Sequence, residues 1–182
     1  TRLYNLNGGI SIMSELRTNR IIPRDGIVSG ASGGIIQVVH TKRTTSLTTS
    51  GTTFVDFMTA SITPTRSDSK ILISFGLYAG TNGDINHPYA SIFRDSTEIG
   101  SATDTGSRTG ASAVYNTLTQ QQIFGGNQHL DSPATTSAIT YRIKVKSSNG
   151  QIAYFGRSAR DNNAAAYDGR SSSFLTLMEV SG

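Results

Sequence analysis

Asp104-Thr105-Gly106-Ser107 contains the tripeptide with which aspartic proteases work, where two such aspartates share one proton across a dimer axis. That chemistry places the aspartate at the end of an apolar strand. Here the approach is Gly100-Ser101-Ala102-Thr103, too polar to bury it, so the tripeptide reads as a turn. Seryl hydrolysis from an elbow would need Gly-x-Ser-x-Gly between a strand and a helix, and no such elbow occurs. With 24 Ser and 23 Thr in 182 residues, chance Ser, His and Asp combinations carry no information. His40, His87 and His129 are the only histidines, and none has a second at metal-ligand spacing. One loop histidine per subunit, His87 or His129, could meet its copies on a threefold axis; the plainer reading is a hydrogen-bonded loop histidine. Asp84-Ile85-Asn86 offers oxygen ligands suited to calcium without the rest of the twelve-residue loop. The 12 acidic residues lie mostly in turn contexts such as Asp68, Asp95 and Asp131 and provide no pair for glycoside hydrolysis. The expectation is no catalytic residue, no cofactor and no metal: binding or architecture, not an enzyme.

The elements that would position any binding residue follow from composition. Hydrophobic residues make up 36% and charged ones 15%, and β-branched residues, Gly, Ser and Thr dominate, which argues against a helical bundle. At this length one domain with a short appendage is expected. The absence of cysteine excludes a disulfide scaffold, thiolate metal sites and a Cys nucleophile. No apolar run approaches the ~20 residues that cross a bilayer, so no membrane insertion is expected. The net charge of +4 and pI of about 9.6 invite a nucleic-acid reading. The 16 basic residues are instead scattered from Arg2 to Arg170 without interleaved aromatics, and a mildly cationic surface is the reading adopted, with no nucleic acid as partner.

Residues 1–26 are too short for a core and read as a segment that gains order by docking. Residues 27–34, with Ser29-Gly30-Ala31-Ser32-Gly33-Gly34, form a small-residue linker; no Gly-Lys-Ser/Thr follows, which rules against a phosphate loop. From Ile35 to residue 182 the hydrophobic period is two. Thr53 to Ile62 places Phe54, Met58, Ala60 and Ile62 on one side, interrupted by Asp56. Ile71, Ile73, Phe75, Leu77 and Ala79 share a face, as do Ile139, Tyr141, Ile143 and Val145. Tyr89–Phe93 and Ala113–Phe124 are weaker strands. Ser148-Asn149-Gly150 predicts a hairpin that folds Gln151–Phe155 back antiparallel. Phe174–Val180 closes the chain as a mostly buried strand. Seven or eight strands at this size predict an all-β fold, an antiparallel jelly-roll-like β-sandwich over 35–182. Four long loops remain for function, Gly80–Pro88, Gly100–Gly110, Gly125–Ala134 and Gly156–Ser171; the last is densest in hydrogen-bonding groups.

Several stretches taken together resemble the fibre-tip module of tailed bacteriophages, especially marine and cyanobacterial ones. They are Gly33-Gly34-Ile35-Ile36-Gln37-Val38-Val39, Ile62-Thr63-Pro64 with Ser69-Lys70-Ile71-Leu72-Ile73, Gly106-Ser107-Arg108, Leu130-Asp131-Ser132-Pro133-Ala134-Thr135-Thr136-Ser137 ahead of Thr140-Tyr141, and Leu175-Thr176-Leu177-Met178-Glu179-Val180. Leu16-Arg17-Thr18-Asn19-Arg20-Ile21-Ile22 is similar to the stretch that often precedes that module, so the likeness covers roughly residues 14–182. The resemblance implies a non-enzymatic homotrimer in the virion, a tail appendage made in the host cytoplasm. Its N-terminal segment, with Leu16, Arg17, Arg20, Ile21 and Ile22 as docking candidates, would join the phage tail or other virion proteins. Its β-domain would face host surface polysaccharide. Tyr89, Asn127, Asp131, Arg160, Asn162 and Tyr167 are the candidate receptor-binding residues: amides, carboxylates and guanidinium for sugar hydroxyls, rings for stacking. The rival readings are a capsid decoration or head-fibre protein and, as an enzyme, a polysaccharide depolymerase.

Overall fold

A computed structural model describes residues 3–4, 10–11, 34–82, 87–103, 106–116, 122–163 and 168–182. The chain divides into a unit over Thr1–Ala31 and a unit over Ser32–Gly182. In the first, β1 (Leu3–Tyr4) and β2 (Ile10–Ser11) pair antiparallel. The second contains β3 (Ile35–Arg43), β4 (Leu47–Thr49), β5 (Val55–Ile62), β6 (Lys70–Thr81), β7 (Tyr89–Arg94), β8 (Thr97–Ile99), β9 (Ala113–Val114), β10 (Gln122–Asp131), β11 (Ile139–Lys146), β12 (Ala153–Phe155) and β13 (Ser173–Val180). Among the described residues there is no helix long and apolar enough to cross a membrane.

β6 organises one sheet. Along one edge it pairs with β13 and, further on, with β12; along the other it pairs with β10 from Ile71 to Gly80. β3 lies outside β13 and β4 outside β12. The second sheet runs β5-β11-β7-β8, with β9 on the far end of β7. All pairings are antiparallel. Of the eight principal strands in chain order, the first sheet takes the first, eighth, third and sixth and the second takes the second, seventh, fourth and fifth. This is the interleaving of a jelly roll, an antiparallel β-sandwich.

The period-two stretches produce this arrangement because alternate side chains of each strand reach one face. Ile139, Tyr141, Ile143 and Val145 of β11 meet Ile71, Ile73, Phe75, Leu77 and Ala79 of β6 in one core. Leu175 and Leu177 of β13 join them, both fully buried. Each aliphatic side chain removed from water there contributes about 1.5–3 kcal/mol.

Three local expectations are corrected. Phe54 does not share the core face with Met58. In β5, Ile143 lies opposite Met58 and Lys144 opposite Asp56, so Phe57 is an inserted residue and both Phe57 and Met58 are buried. This bulge inverts the side-chain phase. Asp56 points outward to Arg142 at 2.9 Å, and Phe54 lies outside against Phe93, ring centroids 5.5 Å apart.

The segment after Asn149-Gly150 turns, with Gly150 at φ 83°, but does not return along β11. β12 crosses to the other sheet, between β6 and β4, because Ala153, Tyr154 and Phe155 are all apolar and all buried there. Most of the expected loop Gly125–Ala134 is strand, with β10 continuing to Asp131. Its two glycines weaken the strand signal but serve close approach. A Cβ at Gly125 would press on the Tyr115 ring, and one at Gly126 would overlap the Phe75 carbonyl oxygen.

Candidate functional site

Among the described residues, the loop from Gly156 to Ser171 gathers Arg157, Arg160, Asp161, Asp168 and Arg170 into one set of ion pairs. Its neck is closed by backbone bonds: Gly156 N–H donates to Tyr78 O at 2.8 Å, Ser171 N–H donates to Gly156 O at 3.0 Å, and Arg157 bridges Arg170. Gly156 adopts φ 78°, the left-handed conformation that glycine takes at little cost, at the point where the chain leaves β12.

Inside the loop, two guanidinium forks hold two carboxylates. Arg160 donates from Nε (2.7 Å) and Nη2 (2.8 Å) to Asp168, whose side chain is 1% exposed. Ser158 Oγ (3.2 Å) and the Asn162 backbone N–H (3.0 Å) donate to the same carboxylate. The bond from Arg160, helped by the Asn162 amide, outweighs desolvation and pulls Asp168 from 3.8 to about 2. Arg170 grips Asp161 from Nε (2.9 Å) and Nη2 (2.8 Å), and that bond likewise lowers the Asp161 carboxyl. Arg157 lies 3.6 Å from the same carboxylate and stacks its guanidinium 4.4 Å over the Tyr154 ring. Asp161 takes φ 44°, which short polar side chains tolerate. Asp161, Asn162, Asn163, Asp168 and Arg170 line a recess of about 270 Å³, and Asn162 and Asn163 are exposed at its rim.

The candidate receptor residues divide accordingly. Arg160 and Asn162 come together in this loop. Tyr167 lies outside the described residues, as do Leu16, Arg17, Arg20, Ile21 and Ile22. Tyr89 opens β7, half-buried, with Lys146 Nζ 5.5 Å above its ring. Asn127 sits in β10, where Nδ2 donates to Ser112 O at 2.7 Å and Oδ1 accepts from Gln128 N–H at 2.7 Å. Asp131 does not present itself to solvent. It is 7% exposed and takes bonds from Arg94 at 2.9 and 3.0 Å and from the Tyr141 hydroxyl at 2.7 Å. Burial first, and then that bond, push the Tyr141 hydroxyl well above its ordinary value. The turn context that made Asp131 look like a loop residue is in fact the end of β10.

Gly106 of the protease-like tripeptide has φ 64° and open space around it, which fits a turn; Asp104 lies outside the described residues. Among the described residues no three His, Asp or Glu side chains cluster as metal ligands. The sequence reading passed over a row of rings on the outer face of the β3-β13-β6-β10 sheet. His40 stacks on Phe174 at 6.3 Å, and Tyr78 packs tilted against Phe124 at 5.1 Å. Phe174 and Phe124 close over Gly76, where a Cβ would lie 2.6 Å from each ring. The available signal was the second phase of the alternation, Leu72 to Tyr78 and Phe174 to Val180, whose members are far from wholly polar. No family model matches the chain, and no curated protein matches it.

Proposed function

We propose that this chain is a bacteriophage virion structural protein, a tail fibre whose β-sandwich works as a trimeric knob and contributes to attachment to host surface glycan. The observation that carries this reading is the braced loop over 156–171. Its charged side chains are spent on each other, and it presents amides beside a polar recess. Such a loop loses little freedom on binding, which is what a weak polar ligand requires. The recess is smaller than the ~300 Å³ at which drug-sized pockets begin, the scale of a single sugar ring. Three copies raise avidity by ~10²–10⁴ over one site. In this reading residues 1–26 dock the protein on the tail, and the protein has no catalytic role.

Two measurements test it. Binding of the whole chain to host envelope polysaccharide is expected, weakened roughly tenfold by Asn163→Ala without a change in melting temperature; one lost hydrogen bond to sugar is worth about that factor. Release of new reducing ends from the polysaccharide would instead make it a depolymerase. Gold-labelled antibody is expected at the tail tip of intact virions, and label on the capsid would overturn the tail assignment.

A further inference from the structure

Asn149-Gly150 forms the turn from which β12 crosses to the far sheet, and the function proposed above uses neither residue. An asparagine amide carbon, Cγ, lies within reach of the next backbone nitrogen, which can close a ring on it through Cβ, Cα and the carbonyl carbon. In a folded chain that nitrogen is commonly tied in a hydrogen bond, shielded by the following side chain, or held away by an extended backbone. None of these protects Asn149. Gly150 N–H has no acceptor among the described residues. Gly150 carries no side chain, takes φ 83°, and has open space where a Cβ would lie. Both residues are exposed, so water and solvent base reach the pair. The carbonyl is also prepared for attack. Gln151 N–H donates to Asn149 Oδ1 at 3.2 Å, which folds the side chain forward over the Gly150 peptide and draws electron density from Cγ. The turn is anchored around it: Ser147 Oγ donates to Gln151 O at 2.7 Å, Ser147 N–H donates to Gly51 O at 2.9 Å, and His87 N–H donates to Ser148 Oγ at 2.9 Å. Nucleophile and carbonyl are thereby kept side by side. Asn127 is the contrast within the same molecule. It lies in the extended β10, and the nitrogen that follows it, Gln128 N–H, is spent on Asn127 Oδ1 at 2.7 Å.

We propose that Asn149 is a covalent modification site, which the turn converts to aspartate and isoaspartate with water as the co-reactant. The Gly150 nitrogen gives its proton to solvent base and attacks Cγ. The N–Cγ bond forms, the Cγ–Nδ2 bond breaks, and the amide nitrogen takes up a proton and leaves as ammonia. Water then opens the succinimide, its hydroxyl going to a carbonyl carbon and its proton to the ring nitrogen. Opening at Cγ restores the ordinary backbone with an aspartate side chain. Opening at the backbone carbonyl carbon leaves isoaspartate, whose main chain runs through Cβ and Cγ. Nothing is oxidised or reduced. Either product places a new negative charge at the turn. Isoaspartate also lengthens the main chain by one carbon between Ser147 and Gln151, so the 2.7 Å bond that closes the turn is expected to loosen where the chain leaves for β12.

Peptide mapping of the full chain, aged in its folded state at neutral pH and physiological temperature, tests this. Trypsin cleaves after Lys146 and Arg157 and releases residues 147–157, in which Asn149 is the only asparagine. That peptide is expected to gain the mass difference between an amide and a carboxyl group, and to become a substrate for isoaspartate methyltransferase. Its rate of conversion in the folded chain is expected to lie within about tenfold of that of the synthetic peptide of the same residues, a barrier within about 1.4 kcal/mol. Asn127, located by fragmentation of the peptide over residues 109–142, is expected to stay unmodified over the same period. Conversion at Asn149 more than about tenfold slower than in the synthetic peptide overturns the proposal, because the turn would then protect the pair. Equal conversion of Asn127 in the folded chain also overturns it, since the reaction would then owe nothing to the turn.

Discussion

Glu179 shows how a single buried charge can organise a corner of this molecule. It is fully buried in β13, yet it accepts bonds from Gln37 Nε2 (2.6 Å), Thr65 N–H (2.7 Å) and Thr65 Oγ1 (2.8 Å). Burial raises its carboxyl, but the bonds from Gln37 and Thr65 outweigh burial and the net shift is downward. Glu179→Gln replaces one of the two accepting oxygens with an NH2 that cannot accept the bond donated there and removes the charge that strengthens the others. It is expected to cost about 1–3 kcal/mol, read from chemical denaturation. Asp168 gives a pH prediction. Its folded value of about 2 lies below the ordinary 3.8, so its contribution is complete above about pH 4 and is lost as pH falls toward 2. The loop over 156–171 is expected to open in that window while the core persists. Hydrogen exchange of the Asn162 amide, which donates to Asp168, reports the opening. In Asp168→Asn that amide is expected to exchange quickly even at neutral pH.

At the scale of the element, β10 and β5 show why glycines and bulges hide strands. Gly126 lies opposite Gly76 in the β10–β6 ladder, and the two backbones approach so closely that a Cβ on Gly126 would overlap the Phe75 carbonyl. Gly126→Ala is expected to cost about 1–3 kcal/mol through backbone displacement, seen as a lower melting temperature. A composition-based reading takes Gly125-Gly126 as a loop because glycine is poor in strands; the reason for Gly126 is a contact with β6, a strand more than forty residues away. Phe57 is similar. Alternation along Thr53–Ile62 holds from Met58 onward and fails before it, since the inserted residue is decided by the partner β11 and leaves no mark in β5 itself.

For the whole molecule, the core depends on β13, which pairs with β3 on one side and β6 on the other. Leu177→Ala opens a cavity at a fully buried position and is expected to cost about 2–5 kcal/mol. In the trimeric reading proposed above folding and assembly are linked, and the melting temperature is then expected to rise with protein concentration.

By itself the sequence determined the all-β class, the two-layer core and the strands over Lys70–Ala79, Ile139–Lys146 and Phe174–Val180. Strict alternation of apolar and polar residues has one low-energy solution when half a strand must be buried. It also marked the loop over 156–171 by its density of Arg, Asp and Asn. Only the tertiary structure decided which of those groups are spent on each other, that β12 crosses to the far sheet, and that Asp131 is an interior ligand of Arg94 and Tyr141. These outcomes depend on partners distant in the chain. Hydrogen-bond pairing and strand order are settled by which backbones meet after collapse, and nothing local to a residue encodes that meeting.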